Sequence, residues 1–363
     1  MDPRHGPAAR ALRIPATVRP RTTNLLPVLA LLTGVPLLAC AQGGEDGAMG
    51  RSFGGDGGGR PHPDAGASVP PPEMRPPDVP GGGARDYVVR LLQVGSERPS
   101  GSGVAAGFDL DGHATVAASD PVGCGRTDFT APTTFGGHGG VDSQVGALLE
   151  EAATLVTGFD ADASIEDSVI RGGTLILVRI LDAGDLANDG HVEVLLYVGK
   201  TDSGGAPRTE STTSDGEPHI VLSTGQAFVI DARSVVDGDP DQPLIAFRDA
   251  SISEGRLETA PADFDIDLAL PSGPLTLALG GARLAFDVSA DELTWGMIGA
   301  HVTVDAFTTN VVALVGDPAV TETLVRPILQ ARADIDVTSS PGCEALSLTF
   351  VFEGTQAAIT AVR

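Results

Sequence analysis

The chain has 363 residues and carries 48 acidic against 23 basic side chains, a formal charge of −25. Residues 1–39 hold five Arg and one Asp, so the remainder carries −25 − 4 = −29, a surface that repels phosphate backbones and excludes both nucleic acid and a broad basic membrane-binding face. Aromatic residues are 4% of the chain with a single Trp, so the core has to be mostly Val, Leu, Ile and Ala, and a carbohydrate site built from stacked aromatic platforms is disfavoured.

Arg4, Arg10, Arg13, Arg19 and Arg21 precede an uncharged apolar run over residues 25–39. At about 15 residues, and interrupted by Pro27 and Pro36, the run falls short of the roughly 20 needed to span a bilayer. It reads as the apolar part of a secretory signal over residues 1–39. The run ends in Leu37-Leu38-Ala39-Cys40, which resembles the bacterial lipobox. The resemblance implies cleavage after Ala39, lipidation of Cys40 and, with Ala41 rather than Asp next, delivery to the outer membrane. Two or more acyl chains anchor stably where one is marginal. Residues 18–40 alone make a more typical signal, which points to Val18 as the true start.

Residues 40–84 comprise the acylated Cys and a tether with Gly57-Gly58-Gly59, Pro70-Pro71-Pro72 and Gly81-Gly82-Gly83. About half of the tether is Gly or Pro, too little apolar surface to offset its ordering entropy, so it is expected to be a disordered spacer. As a flexible coil its ~44 residues span roughly 35–40 Å.

The body is expected over residues 85–363, a β-rich globular unit with a sub-boundary near 200–218. Residues 87–94 read as a first strand, and 95–140 as a long Gly-, Ser- and Asp-rich loop. Asp142 can cap a helix reaching about Thr157, with a short second helix over 162–171. Residues 174–181 and 191–198 alternate as paired strands, and 219–222, 226–230 and 243–247 are short strands. Residues 263–299 give the clearest pattern, read as a four-stranded meander with hairpin signals at Pro271-Ser272-Gly273 and Gly280-Gly281. Trp295 falls on the apolar period with Leu293 and Met297 and is expected to be buried. Two helices follow as a lid, the first ending at Gly316 and the second starting with Asp317 as N-cap and Pro318 at its first position. Residues 346–352 alternate in a terminal strand. The expected fold is therefore α+β and β-rich: an antiparallel meander sheet, open or doubled into a sandwich, with helices packed on one face.

Gly107-Phe-Asp-Leu-Asp-Gly112, Cys124 followed by Asp128-Phe129, Gly139-Gly-Val-Asp142, residues 174–178 and 190–198, and Cys343 before the last strand resemble a group of uncharacterised secreted lipoproteins of myxobacteria. Ser143 stands where that group often has Asn. The resemblance implies location and fold and brings no activity with it.

The sequence holds no Gly-x-Ser-x-Gly elbow, His-Glu-x-x-His, phosphate loop or dinucleotide fingerprint, and no catalytic residue is assigned. His113, His138, His191, His219 and His301 of the body do not fall at metal-ligand spacing. Asp109-x-Asp111-Gly112 resembles the start of an acidic calcium loop, with Asp120, Asp128 and Asp142 in the same region. It departs from an EF-hand, because with Gly112 as the central glycine the twelfth position is Ala118 and the first is Gly107. An Asp-rich turn bonding its own amides is the other reading. The Asp263, Asp265 and Asp267 row is spaced for a solvated strand face. With Cys40 acylated, Cys124 and Cys343 remain, an even number in an exported chain, and they are expected to form a disulfide. The expected function is that of a lipid-anchored outer-membrane or cell-surface protein. Its role would be noncatalytic, binding an envelope or extracellular ligand or serving structurally; the alternative is a secreted hydrolase of glycans or esters.

Overall fold

Period-two alternation organises most of the chain in the computed structural model, which describes residue 79 and residues 82–98, 101–117, 124–155, 160–214, 217–270, 273–337 and 342–363. The signal, Cys40, Asp120 and nearly all of the tether lie outside the described residues. The elements run β1 (Arg85–Val94), β2 (Phe129–Thr130), β3 (Gly139–Val141), α1 (Gln144–Leu155), α2 (Ala161–Ile170), β4 (Ile176–Leu181), β5 (Asn188–Thr201), β6 (Thr209–Ser214) and β7 (Glu217–Leu222). They continue with β8 (Gln226–Ile230), β9 (Ile245–Ser253), β10 (Arg256–Thr259), β11 (Ala262–Leu270), β12 (Gly273–Val288), β13 (Glu292–Thr303), α3 (Val304–Val315), α4 (Glu322–Gln330) and β14 (Ala345–Val362).

The expected open meander or sandwich, with helices on one face, is overturned. Eight strands close an antiparallel barrel in the order β1-β4-β5-β9-β10-β12-β13-β14, and β14 returns to pair with β1. Two long-range pairings make the closure, Leu92 with Phe352 and Val194 with Phe247, and neither is encoded in local alternation. The helices are distributed around the barrel: α1 against β14, α2 against β1, β7 and β11, and α3 against β12 and β13. β8 runs parallel to the end of β14 and antiparallel to the end of β5, while β11 forms a hairpin with the first half of β12. Residues 200–218 carry the end of β5 and β6, and strands on both sides of them belong to the same barrel.

Gly280-Gly281 is not a hairpin turn. It is the point at which β12 passes from pairing with β11 to pairing with β10 and β13. Gly281 has φ +58, and a Cβ on Gly280 would meet the His301 imidazole at 2.3 Å, so only glycine permits this bend. The second lid helix starts at Glu322 with Thr321 as N-cap; Asp317 instead accepts from the Ala319 N–H in a turn ahead of it.

An eight-stranded barrel is just wide enough for side chains to fill. Leu346, Leu348, Phe350 and Phe352 of β14, Leu284 and Phe286 of β12, and Ile298 and Ala300 of β13 belong to the main core. The alternate residues Ala345, Ala285 and Met297 face outward into a second apolar cluster with Ala106, Phe108 and Leu110. Residues 101–117 and 124–142 thus form a strap over the outer face of β12, β13 and β14. Gly299 of β13 admits the Phe108 ring, because a Cβ there would lie 2.2 Å from it. Cys124 of the strap and Cys343 before β14 form a disulfide with Cα atoms 5.9 Å apart, pinning the strap to the last strand.

Trp295 is 41% exposed, not buried. It is the extra residue of a β-bulge. Ala285 pairs with Met297 but Asp287 with Thr294, and on the other side Phe352 pairs with Gly296 but Gly354 with Leu293. One inserted residue moves the following side chains to the opposite face. Leu293 therefore lies in the main core and Met297 in the outer cluster, although both are spaced evenly from Trp295.

Candidate functional site

The strap gathers carboxyl groups. β3 ends at Val141, and Asp142 follows before α1; its Oδ2 accepts from the Leu110 N–H at 2.8 Å, and its own N–H donates to the Phe108 carbonyl. Asp109 and Asp111 close short turns, accepting from the Gly112 and His113 N–H groups at 2.6 and 2.7 Å. Gly140, at φ +80, lets β3 pass close, since a Cβ there would meet Asp109 Oδ2 at 3.4 Å and Ala114 at 3.2 Å. Carboxylate oxygens of Asp109, Asp111 and Asp142 lie within 4.8 Å of one another, with Asp142 buried and the other two half-buried. Asp128 lies close enough for its charge to act on Asp142 and accepts from the Thr115 N–H.

A fifth carboxyl comes from a distant segment. Asp334 is fully buried, and both of its oxygens accept from Ser347 of β14, one from the N–H and one from the hydroxyl. Ser347 Oγ in turn accepts from the Gln144 N–H at 2.8 Å, which ties the start of α1 to β14. Arg283, 1% exposed on the outer side of β12, lies in the field of Asp109 and Glu258.

Burial dominates the electrostatics. It pushes Asp142 up to about 10, reinforced by the charges of Asp334, Asp111 and Asp128 and opposed by the Leu110 N–H. It pushes Asp111 up to about 6, with Asp109 and Asp128 adding to it, and raises Asp128 in the same sense. Asp334 rises to about 7, because loss of water outweighs the two Ser347 hydrogen bonds. The Arg283 guanidinium supplies one positive charge beside the cluster, and the crowding of Asp111, Asp142 and Asp334 in a buried setting favours a proton or a cation as the further compensation. The donors are all oxygens, which suits a hard cation; calcium takes six to eight oxygens from carboxylates and carbonyls of flexible loops.

Asp109 and Asp111, singled out by the sequence, come together in this cluster. Asp142 is the buried member of the cluster, and Asp334, some 190 residues further on, has no local signal beyond an acid set in the apolar Ala333-Asp334-Ile335. The Asp263, Asp265 and Asp267 row lies on the exposed side of β11, where Asp263 accepts from Gly281 and Asp267 from Thr276. Among the described residues no helix is long and apolar enough to cross a membrane. No protein family matches the chain, and no curated protein or solved structure does.

Proposed function

We propose that the chain is a lipoprotein anchored at the outer membrane through Cys40, whose barrel body serves a noncatalytic binding or structural role and carries calcium beneath its strap. The partners are the membrane, through the lipid, and an envelope or extracellular ligand, with nucleic acid excluded by charge. The single observation that carries the reading of the body is the convergence of Asp109, Asp111 and Asp142 within 4.8 Å in a strap that the Cys124–Cys343 disulfide pins onto β14. The barrel interior is occupied by apolar side chains, which leaves recognition to the outer surface. A hydrolase of glycans or esters would need its raised acid within reach of a substrate, whereas Asp142 is 3% exposed and Asp334 is covered.

Two measurements test the reading. Cys40→Ser should abolish partition into detergent or leave the precursor uncleaved, and unchanged processing with unchanged partition removes the anchor. Calorimetric titration of the chelator-treated protein with calcium should give one saturable site, and no heat at millimolar calcium removes the cation.

A further inference from the structure

The bulge that turns Trp295 outward builds one wall of a groove of about 550 Å³ between the strap, β1, β14 and the end of β6. We infer that this groove is the ligand-binding face of the body and that it takes a neutral oligosaccharide, one sugar ring lying against the Trp295 indole. The inference names a ligand for the noncatalytic role proposed above and is independent of both the lipid anchor and the cation cluster.

Trp295 sits at φ +49, a left-handed conformation that a bulky aromatic residue rarely adopts. Residues held in this way concentrate at ligand sites, where the surrounding structure fixes them. Here the fixing contact is Phe135 of the strap, edge-on to the indole at 5.9 Å between ring centroids and 89° between planes. The indole is thus oriented from one edge while part of its surface faces the groove.

The polar groups that share the groove with the indole are neutral in balance. Gln93, 5% exposed, donates to Glu166, and Glu353 accepts from Arg90 and from the Ser214 hydroxyl. Arg98 is paired with Asp162. Each charge in the groove therefore already has its counter-ion, so an ionic ligand would find no complementary charge, and the −29 of the chain beyond residue 39 repels anions. An extended peptide cannot add to the strands of the groove floor, since β14 is paired on both sides by β1 and β13. What remains is the Trp295 indole in a mostly apolar lining, with Leu91, Pro132 and Val351 among it, and the carboxamide of Gln93, the carboxylate of Glu353 and the Ser214 hydroxyl as its polar minority. That set matches a pyranose, which has an apolar C–H face and hydroxyls at its rim, held on one indole and not on the stacked platforms that the composition disfavours.

Trp295 is the only tryptophan of the chain and reports directly on the groove. The full chain, purified in detergent, is titrated with triacetylchitotriose, cellotriose, maltotriose and, separately, decaproline, following tryptophan emission and calorimetric heat. At least one trisaccharide should give a saturable shift and a matching isotherm. Trp295→Ala should weaken that isotherm at least tenfold while Trp295→Phe retains most of it, and circular dichroism should show both variants folded. Mass spectrometry should recover the sugar intact. A cleaved sugar would overturn the noncatalytic reading and leave the groove's ligand class standing. Absence of binding by all three sugars at 10 mM, binding unchanged in Trp295→Ala, or binding of decaproline alone would overturn the inference.

Discussion

Asp111 and Asp142 bring carboxylate oxygens within 4.8 Å of each other, one group half-buried and the other buried, and burial together with their mutual repulsion raises both above the usual carboxylate range. Above their unfolded values the folded chain therefore binds more protons at the cluster than the unfolded chain does. By linkage, stability is fully present below about pH 4 and falls as the pH rises through the folded values, about 6 for Asp111 and about 7 for Asp334. Denaturant titrations from pH 4.5 to 8 in chelator should show this decline. Saturating calcium should flatten it, because a cation takes over the role of the protons.

Calcium binding only to the folded state raises stability by RT ln(1 + [L]/Kd), about 2–3 kcal/mol at a hundredfold excess over Kd. Asp142→Asn keeps an oxygen for the Leu110 N–H but removes the charge. The variant should lose most of the calcium response and the part of the pH slope that Asp142 carries, as read by thermal melts with and without calcium. A response equal to that of the parent would place the ion elsewhere.

Phe108 fills the space left by Gly299 and is 7% exposed. Phe108→Ala should cost about 3–5 kcal/mol of strap attachment. Hydrogen exchange should then accelerate in residues 101–117 and 124–142 while the strands of the barrel keep their protection. Uniform acceleration would mean that the strap and barrel unfold as one unit.

The Cys124–Cys343 bond closes a loop with a sequence separation of 219. Chain-entropy arithmetic sets its contribution at about 5 kcal/mol at most. Paired Cys→Ser replacement should lower the denaturation midpoint accordingly, and alkylation followed by mass spectrometry should find no free thiol at either position in the parent protein.

Trp295→Gly exchanges a strained aromatic for the residue that tolerates positive φ. Relief of the backbone offsets the lost contact with Phe135, so stability should stay within about 1 kcal/mol of the parent. A loss of 3 kcal/mol or more, measured by urea denaturation, would mean that the indole is a core residue.

Local structure was largely legible in the sequence, as the first strand, the helix ending at Gly316 and the 226–230 strand show. Closure was not, because alternation states which face of a strand is apolar but not which strand lies beside it; the pairing of Leu92 with Phe352 spans 260 positions. Trp295 was misplaced because a single bulge residue inverts the period after it. Gly280-Gly281 carries the composition of a turn but serves a bend, and only the approach of His301 distinguishes the two. Asp109 and Asp111 announced the acidic cluster through their own turn, whereas Asp334 reaches it only through the fold.

The order of synthesis runs against the order of closure. β14 is the seam of the barrel, joining β1, β13 and β8, and it lies in residues 345–362. Until those residues are delivered, β1 and β13 each present an unpaired edge that recruits other chains, and the entropy of bringing residues 85–94 to them has to be met before the contacts repay it. The nascent chain therefore stays unclosed until residues 345–362 have been made. Docking of β14 closes the barrel and in the same step brings Cys343 to Cys124.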